Sequence, residues 1–404
     1  MDKIRVYYVV RFLTSFALGT ILPVYVLYFR HYHINLFQIA LLAAVFEASI
    51  LIFEMPTGLV ADTYGRRISV ILSALFSLIS GIFFIFFPFL FGFIVAEILN
   101  GLGETLRSGA LEAWLVDSLK HENREEKIKQ AFARGTKYRV IGNLLGLILG
   151  GYLASIDLTV VWVPFTIIFF ELNIFLILNL KEEYKINRAI SGRITSRISE
   201  TIKKSLIVIK SQKLLLALLL LALFSEFSFE TISQYWQVHF SENLFIKTEY
   251  FGWILVISSV VTIFLIDKAT RVSEKFKHEV SSLVILEILS VFSLLVIALT
   301  LSPVIAIFFF ILLQSFVSFK EPIFLDLYNK QIPSEQRATL LSFQSLVGSG
   351  GEVLAGLCIG VVALKFGLRI TFGLGTVVLF SGIIGFAMLL TLRRNRQKGD
   401  FLPY

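Results

Sequence analysis

The sequence predicts an all-α polytopic membrane protein: twelve transmembrane helices in two pseudo-symmetric six-helix bundles. Three observations lead there. Of the 404 residues, 56% are hydrophobic and 16% charged, with a mean hydropathy of +0.80; a soluble domain carries about a quarter charged residues. Apolar runs near the roughly 20 residues a bilayer core asks of a helix recur along the chain. Short motifs in its first half return, in the same order, in its second half. A water-soluble enzyme and a disordered chain are both excluded by this composition. Cys358 is the single cysteine, so neither an intramolecular disulfide nor a Cys/His zinc cluster is expected.

The apolar runs fall at about 6–30, 36–61, 68–88, 90–118, 135–155, 159–180, 213–241, 249–267, 279–300, 303–328, 338–364 and 370–392. Residues 181–212, rich in Lys, Arg, Ser and Thr, separate six runs from six. The chain is therefore read as a bundle over 1–180, a cytoplasmic basic linker over 181–212, a second bundle over 213–392 and a cytoplasmic tail over 393–404. The net charge of +8 could suit nucleic acid, but the positions of the bases decide otherwise. With the N-terminus inside, the inner segments hold 30 of the 37 Lys and Arg, and the outer loops hold four, Arg30, Lys247, Lys365 and Arg369. That asymmetry obeys the positive-inside rule and puts both termini in the cytoplasm. The segment Met1–Arg5 is short and the run after it is too long for a signal-peptide core, so the first span is expected to stay. Pro23, Pro56 and Pro322 are expected to interrupt helices at membrane depth.

After span 2 the sequence reads Gly58-Leu59-Val60-Ala61-Asp62-Thr63-Tyr64-Gly65-Arg66-Arg67, and after span 8 Asp267 and Arg271 repeat the spacing of Asp62 and Arg66. Span 4 ends near Asp117 with Arg107 above it, and span 10 ends near Asp326 with Lys320 above it. Gly146 and Gly150 in span 5 are matched by Gly356 and Gly360 in span 11. Duplicated halves with a site between them are a recurrent transporter plan. Asp62, Arg66 and Asp117 are expected to gather at the ends of spans 2, 3 and 4 as a gate, with Gly58 and Gly65 permitting close approach or a sharp turn. A second copy would use Asp267, Arg271 and Asp326. Gly142, Gly146, Gly150 and Gly151 give span 5 a smooth stripe, for which close helix packing is a sufficient reason.

Over essentially the whole chain these features resemble the major facilitator superfamily, whose loop signature G-x-x-x-D-x-x-G-R-R/K is complete at 58–67. Span 5 is similar to the antiporter signature g-x-x-x-G-P-x-x-G-G, with Leu147 in place of its Pro. In span 4, Asn100 stands where that group has an Arg, so the relay role of that Arg is not carried over to Arg107. The resemblance, closest to drug:proton antiporters, implies alternating access, a cavity lined by spans 1, 4, 7 and 10, and a latch role for the loop signature.

Eleven acids lie within the spans: Glu47, Glu54, Glu97, Glu104, Glu112, Glu171, Glu226, Glu230, Glu287, Glu321 and Glu352. Only Arg107 and Lys320 sit at similar depth. A charge at the bilayer centre costs about 2.5–3.5 kcal/mol even on insertion scales, so such groups face a partner or a cavity. Several of the acids are expected to be protonated at neutral pH in at least one conformation. The candidates for proton coupling and the substrate cavity are Glu104, Arg107, Glu226, Glu230, Lys320, Glu321, Glu47 and Glu352. Glu97, Glu112 and Glu287 are as readily read as interhelical hydrogen-bonding or snorkelling residues.

The expected function is proton-coupled efflux of amphipathic small molecules across the plasma membrane, with proton-coupled import of a nutrient as the alternative and a membrane receptor or lipid-handling protein third. No cofactor is expected, since the proton gradient supplies the energy; the partners are the small-molecule substrate, protons and the lipid bilayer. Neither nucleic acid nor a second subunit is expected. No P-loop, nucleophile elbow or H-E-x-x-H helix occurs in the sequence, which argues against an enzyme.

Overall fold

In the computed structural model the described backbone comprises residues 1–182, 212–275, 279–332 and 337–399. The linker from 183 to 211, the end of the tail, and the side chains of Asp267 and Arg271 lie outside the described residues. The regular secondary structure of the described backbone is helical, without strands. Its α-helices are α1 (Lys3–Ile21), α2 (Tyr25–His31), α3 (Leu36–Tyr64), α4 (Arg66–Phe86), α5 (Leu90–Arg107), α6 (Ala110–His121), α7 (Ile128–Ile156) and α8 (Trp162–Asn179). After the linker come α9 (Lys213–Val238), α10 (Glu249–Lys275), α11 (Glu279–Leu299), α12 (Pro303–Lys330), α13 (Arg337–Phe366) and α14 (Leu368–Gly399). Nine helical segments among the described residues are long and apolar enough to cross a membrane. Helix α5 carries Glu97, Glu104 and Arg107 within its 18 residues, the price of placing chemistry inside a span.

Two expected spans are each broken into a pair of helices. Span 1 stops at Ile21 and restarts at Tyr25 across Pro23, where the ring removes a donor and collides with the preceding turn. Span 4 breaks at Ser108 and Gly109, and Gly109 takes φ +72°, a left-handed conformation that suits glycine. Pro56 and Pro322, by contrast, sit inside continuous helices α3 and α12. The expected interruption at those two prolines does not occur, as membrane helices can re-satisfy the freed carbonyls locally.

The described residues fall into two compact units: those of Met1–Ile190 with Ser241–Val256, and those of Ser191–Phe240 with Ile257–Tyr404. In the first, α1 packs on α7 and α8, and α4 packs on α5 and α8; in the second, α9 packs on α13 and α14, and α11 packs on α12 and α14. Read as spans, these are the same four pairings, 1·5, 1·6, 3·4 and 3·6, repeated as 7·11, 7·12, 9·10 and 9·12. The motif repeat seen in the sequence is therefore a repeat of packing. Large apolar side chains such as Phe86, Phe170, Phe264, Phe292, Phe308 and Phe380 remain exposed, the surface expected of a chain whose surroundings are lipid.

The glycine stripe of α7 explains the tightest of these contacts. A methyl group added at Gly142, Gly146 or Gly150 would overlap the carbonyl oxygens of Phe12, Phe16 and Thr20 on α1. Close approach of two helices is thus the role of these three residues. Gly151 faces a different partner, with Gly252 of α10 3.2 Å from where its Cβ would stand. Because the obstructing atoms are backbone, Gly150→Ala is expected to lower stability by about 1–3 kcal/mol, the usual overpacking cost. Thermal unfolding in detergent measures this; an unchanged midpoint would show that α1 yields freely.

Candidate functional site

The second unit contains a cavity of about 400 Å³ between α9, α11, α12 and α13, within the range of small-molecule sites. Leu219, Leu223, Leu283, Val317, Phe229 and Phe324 supply apolar wall, while Ser225, Glu226, Glu287, Lys320, Glu321, Gln344 and Glu352 supply the polar groups. Lys320 and Glu287 form a buried ion pair, Nζ to Oε1 3.4 Å, with side chains 9% and 3% exposed. Ser225 sits between them: Lys320 donates to its hydroxyl, and that hydroxyl donates to Glu287 Oε2 at 3.2 Å. The lysine charge is therefore compensated by one carboxylate and a hydroxyl. Glu226, Glu321 and Glu352 are additional, so the lining is rich in acid beyond neutrality.

Of the residues singled out in the sequence, Glu226, Lys320, Glu321 and Glu352 converge on this cavity. Glu230, one turn along α9 from Glu226, is not among the lining residues. Ser225 is the piece that sequence reasoning missed; Glu287, read there as an interhelical hydrogen-bonding residue, makes such a bond to Ser225 but was not placed in the cavity. The available signal was that Lys320, alone among bases within the later spans, needs a buried counter-charge.

In the first unit Arg107 and Arg11 are also paired. Arg107 binds Glu104 one turn earlier on α5, as the i, i+3 spacing suggests. Arg11 on α1 reaches Glu112 on α6 at 2.6 Å and stacks over the Tyr7 ring, 5.6 Å from its centroid. That second pair was not legible in the sequence, since Arg11 and Glu112 are 101 residues apart. Glu47 is half-buried on α3. Glu97 on α5 is fully buried and accepts a hydrogen bond from the Tyr25 hydroxyl.

The loop signature turns out to be a helix–glycine–helix corner. Helix α3 runs through Asp62 to Tyr64, Gly65 alone makes the turn with φ +104°, and α4 starts at Arg66. Arg66 binds the Asp117 carboxylate and the Ala113 carbonyl at 2.6 Å, tying α4 to α6. Glu182 was not anticipated: its two carboxylate oxygens accept the backbone N–H groups of Arg66 and Arg67, each at 3.2 Å. It thereby caps the otherwise unpaired start of α4. Arg67 meanwhile donates to the carbonyls of Leu180 and Ile177 at the end of α8. Asp62 is exposed and takes part in no described ion pair, so the expected threesome reduces here to Arg66 and Asp117. A methyl at Gly58 would meet nothing within 4 Å, which removes close packing as its reason. Asp326 pairs with Lys330 one turn on, at 2.7 Å; its expected partners Asp267 and Arg271 lie outside the described side chains. Removing the cap by Glu182→Ala is expected to cost about 1 kcal/mol, the usual loss at a helix N-terminus, read as a lower unfolding midpoint; no change would show that water replaces it.

A profile of the Major Facilitator Superfamily matches residues 7–355. The chain belongs to that superfamily. It is 27% identical over 398 residues to the uncharacterized MFS-type transporter YxaM of Bacillus subtilis (strain 168), covering 97% of each chain. Among solved structures, its fold is similar to that of the nucleoside transporter NupG, with a TM-score of 0.79 at 11% identity over 96% of this chain and 99% of that one. The POT family transporter PepTSo gives a TM-score of 0.70 at 12% identity, over 98% of each chain. At such identities the likeness is one of fold. This major facilitator protein is thus a multi-pass membrane transporter with an all-helical body.

Proposed function

We propose that this chain is a proton-coupled exporter of amphipathic small molecules that are cationic or neutral and lipophilic, working by alternating access. The observation that supports it is the make-up of the second-unit cavity: apolar walls, one internally compensated lysine, and three further carboxyl groups at Glu226, Glu321 and Glu352. A lipophilic cation matches both the walls and the charge. An anion would have to compete with Glu287 for Lys320 and approach the other acids as well, at a repulsive cost. Glu226 and Glu321 are the groups assigned to proton exchange, with Glu352, Glu230, Glu47 and the Glu104–Arg107 pair in support. In this reading carboxylates that take up protons release a bound cation, and those that lose protons bind it again, so proton entry drives substrate exit.

Arg66 with Asp117, and by the repeat Asp326 with Arg271 and Asp267, act as cytoplasmic latches, and the molecule works as a monomer in the plasma membrane with both termini inside. The proton gradient is its sole energy source. Purified protein in proteoliposomes, given an imposed pH gradient, should move ethidium against its own gradient. Flux that ignores collapse of the proton gradient would remove the coupling. Ethidium flux running with the protons would favour the import reading, for which the same acids serve.

A further inference from the structure

Glu97 lies in the first unit and has no part in the scheme above. It is 0% exposed. Its Oε1 accepts the Tyr25 hydroxyl, while Oε2 has no hydrogen-bond partner among the described residues. The cations within the spans of this unit are engaged elsewhere: Arg11 is taken by Glu112, Arg30 by Glu242 and Arg107 by Glu104, while Lys137 and Arg139 are exposed on α7. On the helices packed against α5, α3 carries Glu47, Glu54, Asp62 and Tyr64, and α4 carries only Arg66 and Arg67. Arg66 is bound to Asp117 and Arg67 to carbonyls at the end of α8. Helix α6 adds Glu112, Asp117, Lys120 and His121. None of these reaches the Glu97 carboxyl group; Tyr25 does. An ionised carboxylate placed there would have half its acceptor capacity unmet and no counter-charge, a costly state in any apolar medium.

The surroundings leave little room for a ligand larger than a proton. Tyr25 meets Phe29 edge-on at 4.9 Å and lies 6.2 Å from the Trp162 ring. Behind them Trp162 and Phe84 stack at 3.8 Å, and both are fully buried. Yet the group that closes the site rides on a separate piece. Tyr25 is the first residue of α2, directly after the break at Pro23, and its own side remains half-buried rather than sealed.

We propose that Glu97 is a proton-binding site of the first unit and that Tyr25, carried on the short helix α2, is its door. With the door closed the carboxyl group is a neutral acid; when α2 swings about the Pro23 break, both oxygens meet water and the proton leaves. The inference rests on the proton-coupled reading for its use in transport, but the site itself can be tested alone. Infrared difference spectra of the full-length protein between acidic and alkaline pH should contain the carbonyl stretch of a protonated carboxyl group at neutral pH. That band should vanish in Glu97→Gln and shift in Tyr25→Phe. In ethidium-loaded proteoliposomes Glu97→Gln should lose at least tenfold in proton-driven flux while keeping exchange without a gradient. A neutral-pH carboxyl band identical in wild type and Glu97→Gln overturns the site, whatever the transport result. Should Glu97→Gln fail to fold, an unshifted band in Tyr25→Phe overturns it equally. A band that behaves as stated in a wild type showing no coupled flux upholds the site and defeats the coupled reading instead.

Discussion

Lys320→Met is expected to be the most destabilising single change in the second unit. It leaves Glu287, 2% exposed, without the ammonium 3.4 Å away, and breaking a buried pair from one side costs about 3–5 kcal/mol. Ser225 then becomes the sole described partner of that carboxylate. Removing both charges at once, as Lys320→Met with Glu287→Leu, should recover most of the loss, because the expense lies in the unmatched charge and not in the missing attraction. Transport should stay impaired in the double variant, since the cavity loses its one cation. Unfolding midpoints in detergent for the two singles and the double decide the point. A double variant no more stable than Lys320→Met would mean that the loss lies in the missing contacts of the pair and not in an unmatched charge.

The second large effect is expected at Glu226. It lines the cavity in company with Glu321 and Glu352, and belongs to no described ion pair. Glu226→Gln keeps shape and removes the exchangeable proton, so accumulation of ethidium driven by a pH gradient should fall at least tenfold, roughly 1.4 kcal/mol or more in the driven step. Exchange in the absence of a gradient should persist. Glu230→Gln, one turn away on α9 and outside the lining, should be milder. Equal losses in the two variants would make the effect one of helix charge, and full wild-type flux in Glu226→Gln would clear that residue of proton exchange.

These two residues also show what the sequence could and could not reveal. Hydropathy and the basic bias are summed over many side chains, so the spans and their duplication were legible without knowing any contact. The turn of the signature at 58–67 was legible because Gly65 acts through the backbone, and Arg66, whose partner Asp117 lies 51 residues on, was legible only because the repeated motifs mark both helix ends. Counter-charges outside those motifs were not. Glu287 and Lys320 belong to different helices, as do Arg11 and Glu112, and nothing in the spacing of one helix tells which face of another it will meet. The same limit hid Glu182, which acts on α4 from 115 and 116 residues away. Breaks within spans fall between these cases. Pro23 and Gly109 end helices while Pro56 and Pro322 do not, so the residue type permits an interruption and the neighbouring helices decide whether it happens.

One feature of the chain's division bears on how it can be taken apart. Residues 241–256 follow the linker in sequence yet are counted with the first unit: Arg30 grips Glu242 through two parallel bonds of 2.9 and 3.2 Å, and the Leu147 carbonyl presses on Gly252. A fragment ending at the linker would therefore be born lacking a strip of its own packing, with a guanidinium and a glycine groove left idle. Split-gene expression, a common route to studying twofold carriers, should succeed here only when both pieces are synthesised together.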